Sequence, residues 1–345
     1  VTALPRTRTR IRRPLARLAA GAAATLLAFA VPVGAQAATP GPAPKPVPKP
    51  APAPKPVPKP VPSTPAYCSS AQNPQLAARL SQDIAKAMTG RQDTMAFAIS
   101  DAKTGVSCTY QPSLHFDSAS VIKATIMGAV LRRAEDENRY LTDWEDSNLQ
   151  QMITASDNTA ATNLWNSLGM PRLQAFLKLA GMNDTQLGTA GYWGLTQITA
   201  ADELKALDVY TGNPNVIKPG AKAYGLSLMS QVEADQRWGT PYGAPAGIST
   251  HVKNGWLPRA THGWRVHSLG IFTSPTKDYR MAILTQDNAT EEYGIDTIQA
   301  IASAVHHDLN PTTGTHSSAV APQSQGTHAP EVSDGSAPFA APATH

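Results

Sequence analysis

The sequence predicts a mixed α/β fold of the α+β type, in which one antiparallel five-stranded sheet is flanked by helices and carries a second, all-helical lobe. Three observations predict it. Two strand-like runs stand early in the chain, three more stand late, and a long stretch of helical periodicity separates them. Sequential hairpins at each end favour antiparallel pairing, so the early and late runs are expected to meet in one sheet. In order, Pro74 to Met88 reads as an amphipathic helix, and Thr94 to Ser100 and Val106 to Tyr110 as a hairpin turned by Asp-Ala-Lys-Thr-Gly. Ser120 to Glu135 has apolar residues at helical spacing, with Asp117 or Ser118 placed to cap it, and helical character continues to about Ala180. A loop-rich stretch follows. Thr199 to Leu207 and Gly220 to Gln231 read as helices, Ser249 to Gly255, Trp264 to Thr273 and Tyr279 to Thr285 as strands, and Gly294 to His307 as a closing helix.

Composition divides the 345 residues unevenly. Residues 1–37 combine six arginines, no acid, an apolar Leu18 to Val33 run and a small-residue site at Ala35-Gln36-Ala37, the pattern of a secretory signal. Residues 38–65 are nearly all Pro, Ala, Val and Lys, with the repeat PAPKPVPKP beginning at Pro42 and again at Pro52. Such a segment is an extended polyproline rod with a reach of roughly 80 Å at about 3.1 Å per residue. Its lysines, Lys45, Lys49, Lys55 and Lys59, suit contact with an anionic cell-wall polymer, or simply solvate a spacer. Residues 66–308 hold the folded domain, and 309–345 form a low-complexity tail expected to be disordered. Ten of the 29 basic residues precede residue 66 with no acid among them, leaving 19 basic against 25 acidic side chains afterwards. The folded part is therefore net acidic and has no basic stripe with interleaved aromatics, which argues against nucleic-acid binding. A secreted, extracellular or wall-associated monomer is expected. Its only two cysteines, Cys68 and Cys108, then meet an oxidising environment, and a disulfide between them is expected, with two buried thiols as the alternative. No metal site is expected: HExxH and CxxC spacings are absent, and His306 and His307 read as solvated. No cofactor is called for.

Three short motifs carry the chemistry: Ser120-Val-Ile-Lys123, Ser156-Asp157-Asn158 and Lys253-Asn254-Gly255. Each has look-alikes. Ser100 to Lys103 and Ser274 to Lys277 also fit SxxK, and Lys103-Thr104-Gly105 spells KTG, but all fall on predicted hairpin tips. Only Ser120 opens a helix. There Lys123 lies one turn on, on the same face, where a desolvated amine serves as a base for a serine nucleophile. The start of a helix also offers backbone N–H groups to a developing oxyanion. Ser156 and Asn158, two apart in a turn, suit a proton shuttle and an amide ligand, with Asp157 bracing the loop. Lys253 and Gly255 share one face of a strand, a fixed cation for a carboxylate beside a residue that lets substrate approach. Singly these are a helix cap and a surface lysine; in this order and context they describe acyl transfer.

With these motifs the chain resembles the class A serine β-lactamases and the related penicillin-recognising D,D-peptidases. The likeness spans about residues 66 to 308 and includes Met152 to Trp165 and Leu173 to Met182. It implies Ser120 as acylated nucleophile, Lys123 as base and Ser156 as shuttle. It also implies Asn158 as substrate ligand, Lys253 with Asn254 as carboxylate site, and the N–H groups of Ser120 and Trp256 as oxyanion hole, with Arg265 added to the carboxylate site. Three departures stand out. No glutamate occurs from Ser147 to Asp202, where the family's β-lactamases carry the one that activates the deacylating water. Asn254 replaces a threonine. The stretch from Ser120 to Ser156 is short for the family, implying a reduced helical lobe. The resemblance implies a secreted hydrolase of a β-lactam or peptidoglycan-type amide bearing a carboxylate. The alternatives are a D,D-peptidase or esterase-like hydrolase with slow β-lactam turnover, and a penicillin-binding sensor or wall-associated binding protein.

Overall fold

The computed structural model describes residues 66–212 and 215–311. The expected signal, linker and low-complexity tail lie outside these residues, apart from the tail's first three positions.

The early and late strands do meet in one sheet. β1 (Cys68–Ser69), β2 (Thr94–Asp101), β3 (Val106–Tyr110), β6 (Ser249–Pro258), β7 (Trp264–Ser274) and β8 (Lys277–Asn288) form an antiparallel sheet in the order β1-β3-β2-β8-β7-β6. It has six strands rather than five, because two residues after the linker pair with β3 in a register that sets Cys68 opposite Cys108. Those two cysteines form a disulfide. By chain entropy, closing this loop of 40 residues contributes about 4 kcal/mol. A separate two-stranded ladder, β4 (His115–Asp117) with β5 (Gln197–Thr199), was not foreseen.

The period of two along each strand sorts side chains into two cores. From β2, Met95, Phe97 and Ile99 join one cluster while Ala96 and Ala98 join the other; from β8, Met281 and Ile283 divide from Ala282 and Leu284 in the same way. The first cluster lies under α1 (Pro74–Ala87) and α7 (Glu291–Leu309). α1 begins with Pro at its first position and buries Ala77, Leu80 and Ile84, one stripe at helical spacing. α7 starts at the Thr290 cap and buries Ile295, Ile298, Ala302 and Val305 on the same core. His306, expected to be solvated, is buried and bonded to the Tyr279 hydroxyl and the Thr240 carbonyl, so the apolar stripe of α7 carries a neutral imidazole inward. Burial pulls it down to about 4.

The second cluster belongs to the helical lobe. α2 (Ile122–Asp136) is buried almost all round, as befits a helix enclosed by α3 (Asp143–Thr154), α4 (Asn158–Ala180), α5 (Ala200–Thr211) and α6 (Pro219–Ser230). α3 opens with a Thr142/Glu145 capping box. Glu145 also receives Arg133 and Arg139, both at 2.6 Å, which ties α2 to α3. Burial alone would raise the Glu145 carboxyl; the two guanidinium groups and the Thr142 N–H outweigh it and bring it down to about 2. Within α4, Gly169 takes a left-handed φ of 71° just before Pro171, and the helix kinks there. No helix among the described residues is long and apolar enough to cross a membrane.

Candidate active site

Ser120 does not open α2 itself. It sits in a single 3-10 turn, Ala119–Val121, with α2 beginning at Ile122. Neither expected cap caps it: Ser118 makes no capping bond and donates instead to the Trp193 and Ala119 carbonyls, while Asp117 pairs with Arg265 at 2.9 Å and accepts from Gln197. Ala119 has a positive φ of 46°, an unfavourable setting for a side chain immediately before the serine. Ser120 is partly exposed.

The strand β6 is the edge of the sheet and brings the third motif to the first. A Cβ on Gly255 would stand 2.7 Å from the backbone nitrogens of Ser120 and Val121, so only glycine lets strand and turn touch. Two residues earlier, on the same strand face, Lys253 donates to Ser156 Oγ at 2.9 Å and to the Asn254 carbonyl at 2.9 Å. From α2, Lys123 reaches the same residue, donating to the Ser156 carbonyl at 2.5 Å, to Ser156 Oγ at 3.2 Å and to Asn158 Oδ1. Its ammonium lies 4.8 Å from the centre of the Trp193 ring. Both lysines are 0% exposed. Burial pulls Lys253 down to about 7.

Ser156 stands where these amines converge because its backbone is left-handed, φ 57°, between the end of α3 and the start of α4. Asp157 braces this corner, its carboxylate accepting from the Ala160 N–H as the cap of α4. Ser120, Lys123, Ser156, Asn158, Lys253 and Gly255 are thus brought together from three segments distant in sequence. Trp256 lies next along the edge strand, its ring 5.9 Å from that of Trp238.

Two residues expected at the substrate face elsewhere. Asn254 is fully buried, and its amide donates to the Gln236 carbonyl at 2.8 Å and the Trp238 carbonyl at 2.9 Å. The pleat that turns Lys253 and Gly255 inward turns Asn254 to the opposite face, where it braces residues 236–238. Arg265 is buried and bonded to Asp117 and the Thr261 carbonyl, anchoring the segment that leads to Ser120. His267 holds the same segment through the Asp117 carbonyl at 2.9 Å.

The sequence leaves open whether Tyr192 and Trp193 form a lid or pack as core; Trp193 is fully buried. The loop it occupies, between β4's partner strand and the end of α4, carries no motif, yet its indole covers Lys123 and donates to Thr162 Oγ1 at 3.1 Å. The first glutamate after Glu145 is Glu203 on α5, and it is sealed from solvent. It does not stand open to a water. Far from this site, Asp83, His307 and Asp308 bring ligand atoms within 4.8 Å of one another. Asp308 is already paired with Arg79 and His307, so this trio reads as an ion-paired tether between α1 and α7.

A serine on a tight turn before a central helix, with two buried lysines meeting at a second serine, defines a serine hydrolase of the α+β kind. The chain belongs to the beta-lactamase enzyme family, whose sequence model matches residues 79–144 and 147–309. Solved structures agree in fold. A beta-lactamase from Sphaerobacter thermophilus DSM 20745 is 20% identical, with a TM-score of 0.59 over 68% of this chain and 99% of that one. A class A beta-lactamase representative from Bacteroides cellulosilyticus DSM 14838 is 18% identical, with a TM-score of 0.59 over 68% and 98%. An ancestral class A beta-lactamase, GNCA, is 20% identical, with a TM-score of 0.56 over 66% and 98%. No curated protein matches the chain in sequence.

Proposed function

We propose that the protein is a secreted acyl-transfer hydrolase in which Ser120 attacks an amide carbonyl of β-lactam or peptidoglycan type. The observation that carries this reading is the meeting of Lys123 and Lys253 on Ser156 Oγ, at 3.2 and 2.9 Å, beside the turn that holds Ser120. Ser156 is the proton shuttle and Asn158 the amide ligand at the rim. The backbone N–H groups of Ser120 and Trp256 are the oxyanion donors. The carboxylate expected on the substrate has no open partner among the residues nominated for it, since Lys253, Asn254 and Arg265 are all buried and bonded. Recognition of that carboxylate is therefore left outside the proposal. Export rests on residues 1–37, and wall contact on the lysines of 38–65.

The sealing of Glu203 favours slow deacylation, hence a D,D-peptidase or esterase-like enzyme over an efficient β-lactamase. Nitrocefin turnover, followed with mass spectrometry of the protein over time, tests this. The expected result is an adduct on Ser120 that forms in a stoichiometric burst and clears slowly, and that Ser120→Ala abolishes. Fast steady turnover supports the β-lactamase instead, and an adduct that never clears supports a penicillin-binding sensor. Turnover that survives Ser120→Ala would remove the site assignment altogether.

A further inference from the structure

Beyond Trp256 the edge strand leads to a cation that the three motifs do not include. Leu257 stands opposite Arg265 across β6 and β7, and opposed residues share a face, so Arg265 lies on the side of the sheet that carries Lys253 and Gly255. Arg259 is the next position in that alternation, two beyond Leu257. Its backbone N–H donates to the Gly263 carbonyl at 3.0 Å, and the Asp287 N–H donates to the His262 carbonyl at 2.7 Å, so the hairpin tip is held from both sides. The Arg259 guanidinium is close enough to Arg265 to repel it. Burial lowers Arg265 from its ordinary value, Asp117 opposes this, and the charge of Arg259 adds to it.

No acid answers Arg259. The carboxylates whose charge reaches Arg265 are Asp117 and Asp287, and both are taken. Asp117 gives one oxygen to Arg265 at 2.9 Å and the other to Gln197, while Asp287 gives one to His262 at 2.7 Å and the other to Thr94. Among the described residues none makes a hydrogen bond or ion pair with the Arg259 side chain, and its Nη1 is sealed from solvent without a partner. A guanidinium offers five donors and keeps its charge at any ordinary pH. Leaving them unmet beside a second cation is costly. The residue as a whole is partly exposed, so a ligand can supply the missing acceptor.

We propose that Arg259 binds a carboxylate on the acyl part of the substrate, several residues from the bond that is cut. The inference rests on the acyl-transfer reading above. Ser156, the shuttle of that reading, is bonded to Lys253 and hands its proton to the leaving nitrogen, so the leaving group lies toward Lys253. The acyl part then runs the other way, past Gly255 and Trp256 along β6, the edge of the sheet. Positions 255 and 259 are roughly 13 Å apart at about 3.3 Å per residue, which puts a carboxylate beside the scissile bond out of reach. One carried about two to four residues into an extended acyl peptide falls in range. There it meets a planar fork that matches both of its oxygens. The substrate class is an acidic peptide, with its acid on the N-terminal side of the cut.

The test uses activated peptide esters whose acyl part carries glutamate at the second, third or fourth residue from the ester, each beside its glutamine counterpart. Acylation of Ser120 is followed by rapid quench and mass spectrometry. At one or more of these positions the glutamate ester is expected to acylate the wild type about 10-fold or more faster than its counterpart. Arg259→Gln should abolish that preference, Arg259→Lys should keep part of it, and Arg259→Glu should turn it against glutamate. A wild type that is acylated but prefers glutamate at none of the positions overturns the inference, and so does a preference that survives Arg259→Gln. Where the variants fail to fold, salt decides in the wild type: the preference should shrink as ionic strength rises, and one that holds overturns the inference. A wild type that forms no adduct on Ser120 with any ester fails earlier, and takes the acyl-transfer reading with it.

Discussion

Gly255 and Ser120 are in contact through backbone: a Cβ at 255 would stand 2.7 Å from the Ser120 nitrogen. The sheet edge therefore sets the position of the turn that holds Ser120, and with it the N–H proposed to face the oxyanion.

Gly255→Ala should push the two apart by several tenths of an ångström. The atoms met are backbone nitrogens, so the turn itself must shift, and loss of one oxyanion donor costs about 100- to 1,000-fold in rate. The expected outcome is a burst of acylation slowed by about that factor, together with a lowered melting temperature. Wild-type acylation rates in the variant would mean that the turn is placed by something else.

Asn254 supplies a second outcome that separates bracing from substrate contact. Its amide satisfies the Gln236 and Trp238 carbonyls on the face away from Lys253. Asn254→Ala leaves them without that donor and should cost about 1–3 kcal/mol of stability. Urea denaturation reads the loss. The ratio of rates for substrates with and without a carboxylate should not move. A selective loss on the carboxylate substrate, at unchanged stability, would put Asn254 back in the binding site.

Much of this arrangement was legible in the sequence because it rests on strong local signals. The strands β2, β3, β7 and β8 announce themselves by β-prone runs and tight turns, and the look-alike motifs at Lys103 and Ser274 fell on hairpin turns as their turn residues imply. β1 was invisible, since two residues have no period and Cys108 holds them in place. The 3-10 turn at Ser120 was read as plain helix, because nothing in propensity signals a left-handed Ala119. Asn254 is a different case. Strand alternation, once Lys253 and Gly255 were placed inward, already turned it outward, and the motif resemblance overrode the pleat. For Trp193 the sequence left lid and core both open, since the indole meets Lys123 only through the packing of a loop with no periodicity of its own.

Glu203 shows how the lobe accommodates an acid that the chemistry does not use. It is fully buried on α5, and neither carboxyl oxygen has a hydrogen-bond partner. Burial, and then the charge of Asp202 beside it, raises it from the ordinary 4.5 to about 8. Asp202 keeps its own place through the Asp184 N–H, Thr185 and Lys205. The folded protein thus holds a proton on Glu203 at pH values where the unfolded chain has lost it. Stability from this group is complete below about 4.5 and is lost as pH rises through about 8, at about 1.4 kcal/mol per pH unit within that window. Glu203→Gln keeps the shape and never ionises. Its stability should match the wild type below pH 4.5 and exceed it increasingly towards pH 8, with acylation of Ser120 unchanged. Urea unfolding of both proteins across that range measures the difference in slope. Parallel slopes would show that Glu203 is ionised in the folded state, and so has a partner or a water that stabilises its charge.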